Sequence, residues 1–339
     1  MKKIAVAIMA ICMSLSMCAC SGTNTFSFQY WNEDAQSLEN IRAYVEDVTN
    51  ENSENYILVE DRVAVFDMDG TLYSENSPTY FLALFFISEI MSGKNPNITD
   101  EMKAFVDAML TGNTSGLNGD SLPQLYATLF DGMTVDEFNH KVKAFVDNTP
   151  VQGYDNLNYA DAFFLPMLEI VDYLSANDFN VYLCSGTDRL TCRALTDGKV
   201  NILGDHVIGA DVALYPSNYY GDGEGKYEYS YEDELVRSSQ VLTTSTNGAK
   251  VNKIAAEIGK QPVMVFGNSD GDSSMATYAT DENPHKTMVV MLAADDEVRE
   301  NGNPEKATNM RKLWEANGWN VISMKNDWNT VFGDNVIKK

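Results

Sequence analysis

The sequence predicts an α/β protein built on a doubly wound parallel sheet, with a block of helices inserted after the first strand. Three observations lead to this prediction. Short apolar runs typical of buried strands alternate with amphipathic helical patterns over most of the chain. Residues 78–163 show helical spacing without strand-like alternation. Glycine and polar residues follow several of the apolar runs, as expected where parallel strands end at a ligand-binding edge.

The elements can be justified in chain order. Ala35–Val48 places Leu38, Ile41 and Val45 on one helical face, and Val63–Phe66 is an apolar strand that ends at an acid. Glycine turns separate the inserted helices. The predicted inserted helices are Tyr80–Met91, Asp100–Leu110, Pro123–Phe130 and Val135–Val146; the later helices are Ala160–Ala176, Asp188–Leu195, Lys250–Ile258 and Glu305–Ala316; the later strands are Asn180–Cys184, His206–Leu214, Pro262–Phe266, Thr287–Leu292 and Asn320–Met324, with a polar hairpin excursion over Tyr215–Ser238.

Composition limits the possible functions. The chain has 339 residues, of which 44% are hydrophobic, so it is long enough for about two domains with a sizeable core. Its formal net charge of −25 argues against nucleic acid and against polybasic docking to a membrane. The same charge repels phosphate esters at long range, so their binding would depend on local positive groups. Five cysteines are too few for a disulfide scaffold, and we expect Cys184 and Cys192 to pack as small apolar residues rather than to pair.

The N-terminus has the pattern of a targeting segment. Two lysines precede the apolar run Ile4–Met17, which has the length of a signal peptide and is too short for a credible membrane span. Met17–Cys20 resembles a bacterial lipobox, which implies cleavage before Cys20, a lipid on its sulfur and attachment to the periplasmic or extracellular face of the cell envelope. Simple secretion after a plain signal peptide is the alternative. We therefore predict a signal peptide over residues 1–19, and a tether with the first helix over residues 20–60.

An acid pair follows the first strand, within Val63–Leu72, which reads VAVFDMDGTL. Because side chains alternate along a strand, Asp67 and Asp69 point the same way at its carboxyl end, and Gly70 lets the chain turn sharply. Two carboxylates a few ångströms apart repel by roughly 4 kcal/mol at an effective dielectric near 20. Such a pair requires a cation, a shared proton or a catalytic task. We predict phosphoryl transfer, with Asp67 as nucleophile, Asp69 as general acid and base, and Mg2+ as the bound ion.

This decapeptide resembles motif I of the haloacid dehalogenase superfamily, whose phosphatases carry DxDGT after a hydrophobic strand. Candidates for three further motifs follow in the family's order. Ser185–Thr187 follows the second strand, Lys250 lies near a helix start, and Gly267–Asp272, reading GNSDGD, follows the third strand. Four motifs in this order are more specific than a lone DxDGT.

The resemblance also implies a domain organisation and a closer relationship. A Rossmann-like catalytic core would comprise residues 61–77 and 164–339, and residues 78–163 would form a helical cap. Within the superfamily, the chain is similar to a secreted branch close to the phosphoserine phosphatases, which shares its Trp31–Asn32, its GNSDGD loop and its Asp327–Trp328. This similarity implies a type of chemistry and leaves the substrate open.

The resemblance assigns roles to the motif residues. Asp67 would attack phosphorus, and Asp69 would protonate the leaving oxygen and later take a proton from water. Ser185, with backbone N–H groups such as that of Gly186, would hydrogen-bond the phosphoryl oxygens, although Ser185 could also cap the next helix. Lys250 would neutralise the phosphoryl oxygens and the nucleophile.

The metal site leaves alternatives open. Mg2+ would take oxygens from the Asp67 carboxylate, from the backbone carbonyl of Asp69 and from Asn268, which stands where the common form of motif IV has an aspartate. Asp272, the second acid of that motif, would complete the site by orienting a bound water or the lysine. Asp270 is a rival metal ligand. An amide in place of a carboxylate implies weaker Mg2+ affinity.

Several other residues have two interpretations. Lys253 competes with Lys250 for the role of the third motif, and otherwise we expect it to be a solvated surface lysine. Glu75 lies one residue before the place where phosphoserine phosphatases hold the substrate ammonium, and it could instead be a hinge between core and cap. Arg189 and Arg193 are expected on a helix surface rather than on a phosphate. The residues expected in the core of the cap are Tyr80, Phe81, Phe85 and Phe86.

We therefore predict a secreted, lipid-anchored phosphoric monoester hydrolase: a Mg2+-dependent phosphomonoesterase that acts on small phosphate esters through an aspartyl-phosphate. Its partners would be a small phosphorylated metabolite and, through the Cys20 lipid alone, the membrane; nucleic acid is not expected. Two alternatives remain, a non-catalytic lipoprotein that binds a phosphorylated ligand and a phosphotransferase that passes the group to an alcohol. Asp67, Asp69 and Lys250 argue against the binding protein, since a binder gains nothing from two acids facing a phosphate.

Overall fold

The computed structural model describes residues 26–75, 79–113, 121–219 and 227–339, so the predicted signal peptide, Cys20 and the start of the predicted cap at residue 78 lie outside the described residues. Within these ranges, none of the helices has the length and apolarity needed to cross a bilayer. The strands are β1 Val63–Phe66, β2 Tyr154–Asp155, β3 Asn180–Asp188, β4 Val207–Pro216, β5 Leu235–Thr243, β6 Met264–Gly267, β7 Met288–Ala293, β8 Asn320–Ser323 and β9 Ile337–Lys338. The helices are α1 Gln36–Thr49, α2 Phe81–Ser92, α3 Asp100–Thr111, α4 Ser121–Leu129, α5 Val135–Asn148, α6 Leu165–Ala176, α7 Arg189–Thr196, α8 Gly248–Glu257, α9 Ser273–Thr280, α10 Pro304–Ala316 and α11 Met324–Asp327.

Seven strands form one sheet in the order β5-β4-β3-β1-β6-β7-β8. β1 lies in the middle of this sheet, parallel to β3 on one side and to β6 on the other. β5 departs from the parallel pattern, because the excursion after β4 returns as an antiparallel hairpin and needs no crossover helix. The predicted α/β class is therefore confirmed, with a sheet that is mostly rather than entirely parallel.

Both faces of the sheet are covered. Along β1, Ala64 and Phe66 belong to one apolar core, whereas Val63 and Val65 belong to a second core on the opposite face. The ring of Phe66 stacks on that of Phe266 in β6, with centroids 4.0 Å apart. Burial on both faces explains why β1 is an uninterrupted apolar run rather than an alternating one.

The central position of β1 brings the sequence motifs together. Phe66, its last residue, pairs with Leu183 of β3 and with Phe266 of β6. The residues that follow these three paired positions therefore lie side by side at the carboxyl side of the sheet, where open α/β sheets bind ligands. Helix α8 packs on β3 and β4 and carries Lys250 in its first turn.

The inserted helices α2 to α5 lie in the segment predicted to be a cap and are called the cap below. Their predicted boundaries are correct to within two residues at each end. Local signals explain this accuracy. Gly93 ends α2 in the left-handed conformation, with φ of 63°. Thr99 caps α3 through its side chain, and Thr134 with Glu137 forms a capping box at the start of α5.

Two predicted boundaries in the core are wrong. Helix α6 begins at Leu165, later than predicted, because Pro166 is favoured in the first turn of a helix and cannot lie in its interior. Strand β3 continues past Cys184 to Asp188, because it pairs with β4 again after a shift in register. Of the predicted excursion over Tyr215–Ser238, residues 220–226 lie outside the described residues; β4 and β5 on either side of them pair antiparallel, as expected for a hairpin, but β5 begins only at Leu235.

Both ends of the described chain are tied to the core. The rings of Trp31 and Trp328 lie 6.1 Å apart, edge to face, and the N–H of Asn32 donates to the carbonyl of Asp327 at 2.8 Å. β9 pairs antiparallel with β2, a contact that the sequence did not predict because two-residue strands carry no periodic signal. Trp31–Asn32 and Asp327–Trp328, two pairs on which the resemblance rested, therefore contact each other and tie the two ends of the described chain together.

A buried arginine joins the cap to the core. The guanidinium of Arg237 in β5 donates to both carboxylate oxygens of Asp188, at 3.1 and 3.2 Å. It also lies 3.9 Å from the centroid of the Phe138 ring in α5. Arg237 thus links β5 to the end of β3 and to the cap helix α5. Asp188 also accepts the Thr191 N–H, which adds the start of α7 to this connection. One side of the cap is thereby fixed to the core.

Candidate active site

The turn after β1 presents the acid pair. The N–H of Asp67 still donates to a carbonyl of β6 at 2.9 Å, so the first acid is held by the sheet. The carbonyl of Met68 then accepts the three N–H groups that follow Gly70, at 2.9 to 3.1 Å. Gly70 has φ of +80°, a conformation that side chains other than glycine rarely adopt. The turn leaves the side chains of Asp67 and Asp69 at the strand end, 7% and 8% exposed.

Lys250 lies between two carboxylates that come from different strand ends. Its Nζ is 2.5 Å from Oδ1 of Asp67 and 2.7 Å from Oδ1 of Asp272. All three side chains are buried. The structure thus brings together three segments that the sequence motifs singled out, and it places a positive charge beside the predicted nucleophile.

Burial and mutual attraction set the charges of this cluster. Burial raises the pKa of Asp67, and Asp272 raises it further, against the attraction of Lys250. Burial lowers the pKa of Lys250, but the two carboxylates outweigh burial and hold that pKa above its ordinary value. Lys250 is therefore an ammonium at neutral pH. Burial raises the pKa of Asp69 to about 7, against a hydrogen bond from Thr187, and such a value suits a group that gives and takes a proton near neutral pH.

The second motif is placed differently from the expectation for Ser185. Its side chain is fully buried, and its Oγ accepts the N–H of Thr187 at 3.1 Å. Gly186 and Thr187 line the cleft instead, and the Thr187 hydroxyl donates to Oδ2 of Asp69 at 2.9 Å. The alternative role of Ser185 as a helix cap falls to Asp188, the N-cap of α7. This geometry gives no support to a direct contact between the Ser185 hydroxyl and a phosphoryl group.

Asp272 organises the loop of the fourth motif. Its Oδ2 accepts the N–H groups of Asn268 and Ser269 at 3.0 and 3.1 Å, and its Oδ1 accepts Lys250. Both oxygens are thus engaged by the protein, so Asp272 orients the lysine and the loop rather than offering a free oxygen to a metal. Asp270 is exposed and does not line the cleft, and the structure gives no support to it as a metal ligand.

Gly70 makes room for the amide of Asn268. A Cβ on Gly70 would lie 1.9 Å from Nδ2 of Asn268 and 2.7 Å from Cδ of Glu75. The Asn268 side chain hydrogen-bonds the Glu75 carboxylate. Because a carboxylate only accepts, the NH2 group of Asn268 must be the donor. The amide oxygen of Asn268 is therefore the atom left as an acceptor, beside the turn that carries the acid pair.

These residues fit a divalent cation bound by oxygen. Among the described residues, no cluster of three His, Cys, Asp or Glu side chains forms a metal site. A site here would therefore combine the Asp67 carboxylate with the Asp69 carbonyl and the Asn268 amide oxygen, a mixed set that suits Mg2+ when water completes it. The charges also fit, because among the described residues three buried acids, Asp67, Asp69 and Asp272, lie near one ammonium, that of Lys250, and a bound cation would favour their ionised forms.

A cleft of about 440 Å³ lies over the acid pair. The core side of the cleft contains Asp67, Asp69, Lys250 and Thr187. A larger groove, of about 800 Å³, lies beside α1 at the amino ends of β7 and β8, and none of the motif residues lines it. We therefore assign the chemistry to the smaller cleft. Its cap side is lined by Thr79, Tyr80, Leu82, Ala83, Met109 and Leu122.

Tyr80 does not belong to the core of the cap, contrary to the sequence-based expectation. It is 53% exposed, lines the cleft and hydrogen-bonds the Glu75 carboxylate. Phe81, Phe85 and Phe86 are buried as expected. Tyr80 differs because it precedes the first residue of α2, where the chain is still extended.

Lys253 is not the solvated surface lysine that the sequence suggested. It is 7% exposed and pairs with Asp211 and Glu257, which also accept Arg189. Arg193 donates to a backbone carbonyl at 2.7 Å. Lys253, Arg189 and Arg193 do not line the cleft, whereas Lys250 does. The geometry therefore favours Lys250 as the lysine of the third motif.

Sequence reasoning missed two polar groups at this site. The first is the hydroxyl of Thr187, which a longer β3 would have placed on the same side as Ser185. The second is Glu300, which is fully buried behind the turn and accepts the Ser74 hydroxyl at 3.1 Å. No local pattern identifies Glu300, because the contact joins residues far apart in the sequence.

Glu300 is expected to make stability depend on pH. Burial raises its pKa from 4.5 to about 7, and Oε2 of Glu300 has no hydrogen-bond partner among the described residues. The folded protein binds this proton more tightly than the unfolded chain does. The stabilising contribution is therefore complete below about pH 4.5 and is lost as the pH rises through about 7.

Glu300→Gln, which cannot ionise, should thus be more stable than the unaltered protein at pH 8, by about 1 to 3 kcal/mol, and should differ little at pH 5. Urea unfolding of both proteins at the two pH values measures this difference. Glu297→Gln, at an exposed position of the same loop, is the control. A stabilisation that is equal at both pH values would show that folding does not raise the pKa of Glu300.

Comparison with known proteins gives a consistent result. A family model for haloacid dehalogenase-like hydrolases matches residues 64–277, a range that contains all four motifs. A search of the curated proteins found no match. Among solved structures, the chain is similar to a conserved functionally unknown protein from Anaerococcus prevotii, with a TM-score of 0.51 and 14% identity over 88% of this chain and 94% of that one.

Two further solved structures have lower TM-scores. A protein of unknown function from Bordetella pertussis has a TM-score of 0.48 and 17% identity, over 77% of this chain and 97% of that one. A phosphoserine phosphohydrolase-like protein from Francisella tularensis has a TM-score of 0.38 and 15% identity, over 74% of this chain and 92% of that one. At these TM-scores neither likeness supports a conclusion about this chain.

Proposed function

Because this chain belongs to the haloacid dehalogenase-like hydrolases, we propose that it is a Mg2+-dependent phosphomonoesterase acting on small phosphate esters. The observation that carries the proposal is the buried Lys250 ammonium between Asp67 and Asp272. It supplies the local positive charge that a phosphoryl group needs in a protein with a net charge of −25. Asp69 favours phosphate esters over haloacids, because a halide leaving group needs no proton.

In the first half-reaction, a carboxylate oxygen of Asp67 attacks phosphorus in line with the ester oxygen. The bond between Asp67 and phosphorus forms as the ester P–O bond breaks, and Asp69 gives its proton to the departing alkoxide. Lys250 and the N–H of Gly186 face the charge on the phosphoryl oxygens. The alcohol leaves and Asp67 carries the phosphoryl group.

In the second half-reaction, water attacks the phosphorus of the phosphoaspartate. Asp69, now a carboxylate, takes the proton of that water, and the bond from phosphorus to Asp67 breaks. Inorganic phosphate leaves with Asp67 as a carboxylate and Asp69 protonated, so the site returns to its starting state.

Mg2+ would neutralise charge on Asp67 and on the phosphoryl oxygens when it is bound. Asp67, the carbonyl of Asp69 and the amide oxygen of Asn268 would hold it. Glu75 fixes the orientation of that amide, and Asp272 fixes the position of Lys250. Because Asn268 carries no charge, we expect Mg2+ to bind more weakly than at a site with a carboxylate in that position.

The substrate is proposed to be a small ester. Cap residues cover the cleft from the side opposite the acid pair, so a folded phosphoprotein would be obstructed. Glu75, which also lines the cleft, could accept a cationic leaving group such as that of an amino acid or choline ester, although it already accepts Asn268 and Tyr80. We also propose that the protein is exported and lipid-anchored through Cys20; loss of membrane association in Cys20→Ser would test this anchor.

Hydrolysis of an aryl phosphate by the purified protein tests the function. We expect release of inorganic phosphate with Mg2+, its loss when EDTA removes the metal, and its return when Mg2+ is added in excess. The panel should then include phosphoserine and phosphocholine, with and without an added alcohol, so that transfer to the alcohol would reveal a phosphotransferase. Turnover no higher than that of Asp67→Asn across a broad panel of phosphate monoesters would overturn the proposal in favour of a binding protein.

A further inference from the structure

The two carboxylate oxygens of Asp69 have different surroundings. Oδ2 accepts the hydroxyl of Thr187 at 2.9 Å. Oδ1 is buried and has no hydrogen-bond partner in the part of the chain that the structure describes. The side chains of Asp69 and Thr187 are both more than nine-tenths buried, so water does not remove the difference between the two oxygens. The Thr187 hydroxyl thus gives the one hydrogen bond that the Asp69 carboxyl group receives from the described residues.

The hydroxyl of Thr187 is itself held in place. The backbone N–H of Thr187 donates to Oγ of Ser185 at 3.1 Å, and its carbonyl accepts the Cys192 thiol at 3.7 Å. The next residue, Asp188, is fixed by the buried Arg237 and caps α7. This support comes from both sides of Thr187 along the chain, and it orients a donor that touches the proposed acid.

A hydroxyl can hold a carboxyl group through proton transfer. Because a hydroxyl both donates and accepts, Thr187 can bond Oδ2 of Asp69 whether the carboxyl group is ionised or protonated. The carboxyl group therefore keeps one orientation throughout.

We propose that Thr187 is a positioning residue for proton transfer: its hydroxyl holds Oδ2 of Asp69 and so fixes the carboxyl group that gives a proton to the leaving oxygen and later takes one from water. The proposal rests on the proposed phosphatase function and deepens it. In the first step the O–H bond of the Asp69 carboxyl group breaks as an O–H bond forms on the leaving alkoxide. In the second step a water O–H bond breaks as the carboxyl O–H bond forms again, so each proton is accounted for.

The proposal can be tested with two variants and two substrates. Thr187→Val keeps the shape of the side chain and removes the donor, whereas Thr187→Ser keeps the donor. The substrates are an aryl phosphate, whose phenolate leaves readily without a proton, and a simple alkyl phosphate, whose alkoxide does not. General-acid catalysis contributes typically about 10²- to 10⁴-fold, so Thr187→Val should lower kcat on the alkyl phosphate by about 10²-fold or more and on the aryl phosphate by less than about tenfold.

Thr187→Ser should restore both rates to within a few-fold of the unaltered enzyme. Thr191→Val is the matched control, because Thr191 is a buried threonine of α7 that bonds Asp188 and not Asp69, and its two rates should change by one common factor. Equal losses on both substrates in Thr187→Val, or no recovery in Thr187→Ser, would overturn the role of Thr187. An unaltered protein that hydrolyses neither substrate would instead overturn the proposed function, so the two failures are distinguishable.

Discussion

Asp67→Asn is expected to abolish turnover, lowering kcat by on the order of 10⁴-fold or more, because an amide cannot form the aspartyl-phosphate. The side chain of asparagine nearly matches that of aspartate in shape, and its oxygen can still accept the ammonium of Lys250. The variant should therefore fold and should still bind a phosphate ester. The measurement is kcat on an aryl phosphate with saturating Mg2+, together with thermal unfolding of both proteins.

A second measurement detects the intermediate directly. Rapid acid quenching of the unaltered enzyme with radiolabelled substrate should leave label attached to the protein, and Asp67→Asn should remain unlabelled. Asp270→Asn is the matched control, because Asp270 is an exposed acid outside the cleft and its loss should leave kcat within about twofold. A kcat for Asp67→Asn above one tenth of the unaltered value would exclude Asp67 as the nucleophile.

The sequence predicted strand β1 and the turn after it correctly because several local signals agree there. The apolar run of β1 is continuous because both of its faces are buried, and Gly70 marks the turn that only a glycine conformation allows. The cap helices were likewise predictable, since glycine ends and threonine caps are encoded within a few residues. When local signals agree in this way, the boundary of a helix or strand can be predicted from a single sequence.

Features that depend on distant partners were not predictable. The extension of β3 to Asp188 depends on renewed pairing with β4, and the burial of Lys253 depends on Asp211 in that same strand. The placement of Ser185 beneath Thr187, rather than in the cleft, follows from this longer strand. In each case tertiary contacts override what the local residue pattern suggests.

Electrostatics at the site were only partly predictable. The acid pair implied a nearby cation, and the fold places Lys250 beside Asp67. The sequence did not indicate that one oxygen of Asp272 would accept Lys250 and the other would accept the N–H groups of its own loop. This arrangement leaves the amide of Asn268 as the motif IV side chain that would face the metal in the proposed site.

Lys250→Met is expected to remove activity and stability together, because it leaves two buried carboxylates without their cation. Removing one partner of a buried ion pair typically costs about 3 to 5 kcal/mol, and here both Asp67 and Asp272 lose their partner. The phosphoryl oxygens lose their nearest positive side chain, so kcat/KM should fall by about 10³-fold. Urea unfolding and aryl phosphate hydrolysis measure the two effects.

Lys253→Met, three residues later in the same helix, separates the proposed role of Lys250 from that of any buried lysine. Asp211 and Glu257 keep Arg189 when Lys253 is removed, so this variant should lose less stability than Lys250→Met and should retain kcat/KM within a few-fold. The reverse order of activities would assign the phosphate to Lys253. The comparison is informative because both lysines are buried and both are paired with acids, and they differ in whether one of those acids is the nucleophile.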